Sequence, residues 1–148
     1  MGFTKNIEMI AALLVVSTIT YPYPWAPGAV DPNCTKEDVC QGGYTETVRP
    51  SVSFTNKIKK AEILSHQEID CSKGCELDHV VSLELCGAPG DVMNLAIEPY
   101  FPKPGAREKD QAEDFLHRQV CKGNMTLEEA QELIRTDWLE IYNGLHKK

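Results

Sequence analysis

An α+β fold is predicted for this chain by three features of its sequence. Residues 76–85 alternate with period 2, a turn rich in Gly and Pro follows, and two stretches of helical periodicity lie nearer the C-terminus. The 148 residues fit one domain. A composition of 42% hydrophobic and 25% charged residues is that of a globular chain and excludes a disordered tail or a collagen-like fibre. At this length roughly 70% of the unfolded surface can be buried, so the fold can stand without a metal or disulfides. With 15 Lys+Arg against 22 Asp+Glu the formal net charge is −7, which excludes a protein that holds nucleic acid by bulk charge. Any contact with a polyanion must be local.

Taken from the N-terminus, residues 9–19 (MIAALLVVSTI) form a weakly polar to apolar run of 11 after Lys5. A spanning helix needs about 20 such residues, whereas an export signal needs roughly 7 to 15, so residues 1–20 read as a signal peptide. The alternative is an uncleaved membrane anchor or a buried helix. Removing the segment takes Lys5 and Glu8 together and leaves the charge at −7. All six cysteines follow it, and an even count after an export signal predicts three disulfides and a secreted or periplasmic protein without stable membrane association. The rival is a four-thiolate zinc site on Cys71, Cys75, Cys86 and Cys121, although paired Cys-x-x-Cys knuckles are absent.

Residues 21–47 carry Pro and Gly with little periodicity and read as a loop-rich segment fixed by Cys34 and Cys40, ahead of a domain over residues 48–148. A short helix is expected from Ser53 to Leu64, with Ile58, Ala61 and Ile63 or Leu64 offered to the core. Arg49, Lys57, Lys59 and Lys60 are the one basic cluster, either a solvated face or a phosphate-contacting patch. The period-2 run is the first strand, residues 86–91 a turn, and residues 92–97 a second short strand or an irregular segment, with Asn94 at the far side of the element. Pro99, Pro102, Pro104 and Gly105 delay the next helix to Ala106. Over residues 106–120, Ala112, Phe115, Leu116 and Val120 share one face while Asp110, Glu113, Asp114 and His117 share the opposite one. Gly123 ends that helix. Thr126 and Glu129 make a capping box that opens a last helix to about Tyr142, with Leu127, Ala130, Ile134, Trp138 and Ile141 as its buried stripe.

The pair Asp78-His79 carries the chemistry. Both are poor strand formers placed in the clearest strand pattern, where neighbours point to opposite faces. The bland reading is a hydrogen-bonded couple. The sharper one needs a kink that lets both converge on a divalent ion, with the carboxylate as ligand and a neutral imidazole as base towards water.

A strand with Asp78-His79, a turn with Gly87, then Asn94-Leu95 and a helix with acidic and His side chains together resemble the HNH-like, or ββα-metal, endonuclease group of bacteria and phages. The likeness extends over residues 38–142 through Tyr44-Thr45-x-Thr47-Val48-Arg49-Pro50, Ser53-x-Thr55-Asn56, Glu76-Leu77-Asp78-His79, Lys109-Asp110-x-x-Glu113, Val120-Cys121-x-Gly123 and Ala130-Gln131. It implies a small ββα-metal core with additional helices. It also implies His79 as general base, Asp78 as metal ligand, Asn94 orienting the base or backbone, and a helix residue completing the metal site. Asp110 is the preferred helix ligand, with Glu113 and His117 as alternatives. Cys40 and Cys121 fall where that group has cysteine, which implies a bond between them. The chain departs from the group in having Cys86 where the first of two glycines usually stands, and Ala96-Ile97 in place of Trp-Pro.

The function so implied is hydrolysis of nucleic-acid phosphodiesters, DNA first and RNA second, with one divalent ion, Mg²⁺ or Mn²⁺ ahead of structural Zn²⁺. Arg49, Lys57, Lys59, Lys60 and Arg107 would hold the backbone. The alternative is a disulfide-stapled exported binding protein that keeps the frame without catalysis.

Overall fold

The computed structural model describes residues 23–147. The expected signal or anchor over residues 1–20 lies outside the described residues. In chain order come α1 (Lys36–Val39), α2 (Tyr44–Val48), α3 (Val52–Ser65), β1 (Cys75–His79), β2 (Leu95–Pro99), α4 (Ala106–Cys121), α5 (Leu127–Thr136) and α6 (Trp138–His146). The described residues thus mix six helices with one two-stranded antiparallel sheet, as an α+β reading expects.

The sheet pairs Glu76 with Glu98, Asp78 with Ala96 and His79 with Leu95. Alternate residues share a face, so Glu76, Asp78 and Glu98 lie on one side of the sheet. That side meets α4, whose Lys109 reaches both Asp78 and Glu98. Helix α3 is tied to the start of β1 by Lys59, whose Nζ donates to the Cys75 carbonyl at 2.6 Å.

Towards its C-terminus the buried face of α4 turns apolar. Ala112, Leu116 and Val120 pack with Val81, Leu85, Ala130 and Ile134 into the main core. A fully buried aliphatic side chain of this size contributes about 1.5–3 kcal/mol, so this cluster supplies much of the folding drive. Gly123, at φ +75°, ends the α4 region in the left-handed conformation that favours glycine.

Five expectations need correction. The second strand covers Leu95–Pro99 rather than residues 92–97, because Asp91 caps a 3₁₀ turn over Val92–Asn94 ahead of it. The first strand does not run to residue 85. It stops at His79, and residues 80–85 form a buried loop ending in a single 3₁₀ turn at Leu83–Leu85. Val80, Val81, Leu83 and Leu85 are all buried, so the alternation reflects a loop threaded through the core rather than a half-buried strand. The last helix is two, because Thr136-Asp137 are weak helix formers and Asp137 leaves helical geometry at φ −133°, ψ 16°. Residues 21–47 contain two short helices, α1 being opened by a Thr35–Asp38 capping box that the Pro and Gly content masked. Helix α3 gives no buried residue to the core, and Leu64 is 72% exposed.

All six cysteines are paired, as Cys34–Cys86, Cys40–Cys121 and Cys71–Cys75, which leaves no thiolates for a zinc site. Cys40–Cys121 joins the segment after α1 to the end of α4. Cys86 sits at φ +62°, where a glycine is favoured, so the residue that departs from the HNH-like pattern is the one that bonds Cys34. At Gly87 an added Cβ would lie 1.7 Å from the Val81 carbonyl oxygen, so that position admits no side chain. Three disulfides are consistent with an extracellular location. Among the described residues no helix is long and apolar enough to cross a membrane.

Candidate active site

A cleft of about 350 Å³ opens where β1 ends against α4, lined by Thr45, Arg49, Glu76, Asp78, His79, Ser82, Glu84, Asp110, Glu113 and Asp114 among others. Asp78 and His79 both line it although neighbours on a strand diverge. The strand ends there: the chain bends at Val80, and Val81 gives its backbone groups to the Asn94 side chain rather than to a strand partner.

His79 is 8% exposed, and its Nε2 lies 2.9 Å from the Pro89 carbonyl oxygen. A carbonyl only accepts, so Nε2 carries the hydrogen and a neutral ring keeps its lone pair on Nδ1. Burial pushes the imidazole below its ordinary value, opposed by the Pro89 bond and by Asp78. Asn94 is fully buried and touches neither cleft nor solvent. Its Oδ1 accepts from Val81 N–H at 2.8 Å, while its Nδ2 donates to the Val81 and Ala88 carbonyls at 3.0 and 3.1 Å. It braces the loop that presents the Pro89 carbonyl, and so positions His79 through the backbone.

Asp78 accepts from His79 N–H through Oδ1 at 2.8 Å and from Lys109 Nζ through Oδ2 at 2.9 Å. Burial raises its carboxyl, but Lys109 and these bonds outweigh it and hold the group below the usual carboxylate range. Carboxylate oxygens of Glu76, Asp78 and Asp110 lie within 4.8 Å of one another. Burial, and then the Asp78 charge, push both Glu76 and Asp110 up. Tyr100 OH donates to Glu76 Oε2 at 3.2 Å, and the Arg107 guanidinium stands 4.5 Å from the Tyr100 ring centroid.

The other two ligand candidates are differently employed. Glu113 lines the cleft, but its Oε1 accepts from Lys109 Nζ at 2.8 Å, and burial pushes its carboxyl up to about 8. His117 belongs to the far end of α4, where Nε2 donates to the Val39 carbonyl at 2.8 Å and Nδ1 stands 3.6 Å from Glu84. It does cluster with Cys40 and Cys121, but those sulfurs are bonded to each other and offer no thiolate. Of the cations, Arg49 lines the cleft, whereas Arg107 lies outside it, over the ring of Tyr100, whose hydroxyl bonds the cleft residue Glu76. Lys57, Lys59 and Lys60 line a separate depression on α3 with Asn56 and Ile63.

Sequence reasoning assigned no role to Glu76 or Lys109. A period of 2 puts Glu76 on the face of Asp78, and helical spacing puts Lys109 in the stripe of Ala112 and Leu116; Glu113 shares that buried face, about 100° per residue placing it there rather than opposite with Asp110 and Asp114. Comparison of the chain with protein-family models, with curated proteins and with solved structures finds no match.

Proposed function

We propose that this chain is an exported, metal-dependent endonuclease of the HNH-like (ββα-metal) kind, hydrolysing nucleic-acid phosphodiesters with DNA as the first substrate. The observation that carries the reading is His79, a buried, neutral imidazole whose Nε2–H is committed to the Pro89 carbonyl and whose Nδ1 is left as a base in a carboxylate-lined cleft. The succession of β1 with Asp78 and His79, a 3₁₀ turn ending at Asn94, β2, and α4 with Asp110 supports it further.

In this reading His79 Nδ1 takes the proton of the attacking water, and Asn94 keeps the ring in place through the Ala88–Pro89 backbone. Arg49 faces the scissile phosphate, and Arg107 lies further along the backbone. Glu76, Asp78 and Asp110 fit one hard divalent cation, Mg²⁺ or Mn²⁺, because their oxygens converge within 4.8 Å and no thiolate is at hand. A divalent ion bound there supplies neutralisation of the negative charge that develops on the phosphodiester. Three disulfides and the signal-like residues 1–20 support a secreted or periplasmic location.

The test is incubation of the protein with supercoiled plasmid and Mg²⁺ or Mn²⁺, alongside chelator and His79→Ala. Nicked or linear product that vanishes in both controls is expected. Cleavage that persists in either control overturns the mechanism. A chain that binds nucleic acid equally well with and without His79, and never cuts it, is instead the disulfide-stapled binding protein.

A further inference from the structure

Where a helix covers a sheet the contact is ordinarily apolar. Here the covered face carries Asp78 of β1 and Glu98 of β2, and α4 adds Glu113. One cation sits among them. Lys109 Nζ, with its side chain 2% exposed, lies 2.9 Å from Asp78 Oδ2, 2.8 Å from Glu113 Oε1, 2.8 Å from the His79 carbonyl oxygen and 3.4 Å from Glu98 Oε1.

An ammonium has three hydrogens to give. Asp78, Glu113 and the His79 carbonyl take all of them, and Glu98 Oε1 is left buried without a hydrogen-bond partner, on a residue only 3% exposed. The cradle therefore offers one oxygen more than the cation inside it can satisfy. Hard divalent cations have no such limit, since they take six or more oxygen donors, and three carboxylates with a backbone carbonyl are the donors they select. The inner end of the cradle thus has the donor set of a metal site, filled by a tethered positive charge.

We propose that Lys109 is a built-in cation that occupies this inner position, pins Asp78 by Oδ2, and so limits the centre to one divalent ion at its outer end on Glu76, Asp78 and Asp110. The inference rests on the metal-site reading given above. Lys109 touches no substrate in it and is a positioning residue. The tethered charge survives chelation, so the inner position keeps its cation whether or not the outer one is filled.

Counting ions separates the two ideas. Mn²⁺ stoichiometry is measured by calorimetry and by electron paramagnetic resonance on the full chain, as wild type, Lys109→Ala, Lys109→Arg, and Lys109→Ala combined with Glu98→Gln and Glu113→Gln. Lys109→Ala is expected to bind one Mn²⁺ more than wild type, and its Tm to rise further with Mn²⁺ than the wild-type Tm does. Lys109→Arg, which keeps the charge, should gain none, and the triple variant should lose the ion gained. The inference is overturned if Lys109→Ala binds as many ions as wild type, or if it stays unfolded in saturating Mn²⁺. If wild type binds no Mn²⁺ at all, the outer-site reading falls by itself, because the Lys109 effect is counted as a difference between the two chains.

Discussion

The two halves of α4 are both buried, against opposite chemistry. Its first turns put Lys109 and Glu113 against Asp78 and Glu98, whereas Ala112, Leu116 and Val120 meet Val81, Leu85, Ala130 and Ile134. The apolar half gains from removing carbon from water. The charged half must first desolvate its ions, a cost that their mutual attraction offsets only where the geometry is good. Burial pushes both Glu98 and Glu113 up, so their own charges are the first to be given up there, and Lys109 is compensated above all by Asp78. One helix thus anchors the fold with its C-terminal half and spends part of that stability to hold a polar site at its N-terminal half.

The sharpest way to break this comparison is at the charged end. His79→Ala should lower turnover per folded molecule by about 100- to 10,000-fold, with partial rescue by added imidazole, while the lost Pro89 bond and the space left by the ring lower the Tm only modestly. Equal loss of fold and activity would mean that the two ends are not separable. At the apolar end Leu116→Ala should cost about 2–5 kcal/mol in urea unfolding, with Mn²⁺ binding by the folded fraction unchanged. A changed metal affinity in that variant would show that core packing reaches the site.

Replacing Cys40 and Cys121 together by Ser should lower stability by about 2–4 kcal/mol, since the bond closes a long loop, with a sequence separation of 81, at the far end of α4. Plasmid cleavage per folded molecule should not change. The smallest effect is in pH. Burial holds the His79 imidazole below its ordinary value of about 6.5, and the neutral ring is the active form. The rate should therefore be flat above about pH 7 and fall only as pH drops below roughly 6.5. Stability carries the same sign, because below that value the unfolded chain takes up the proton first and its share of stability is lost as pH falls. A pH–rate profile with its acid limb centred above 6.5 would contradict the burial argument.

Local signals in the sequence determined α4 and the start of α5. The spacing of Ala112, Leu116 and Val120 marks α4, Gly123 its end, and the Thr126–Glu129 box the start of α5, because periodicity, caps and φ are properties of a few consecutive residues. The same holds for the suspicion raised by Asp78-His79 and for the likeness that paired Cys40 with Cys121. Only the tertiary structure decided where β1 stops, since Val80 and Val81 spend backbone groups on Asn94, a residue more than ten positions away. It alone decided that Glu76 joins Asp78 and Asp110, that Lys57, Lys59 and Lys60 lie apart from the cleft, and that Lys109 reaches Asp78 and Glu98. The reason is physical: whether a polar side chain binds a ligand or another residue depends on what burial brings within 3 Å of it, and no short window of sequence contains both partners.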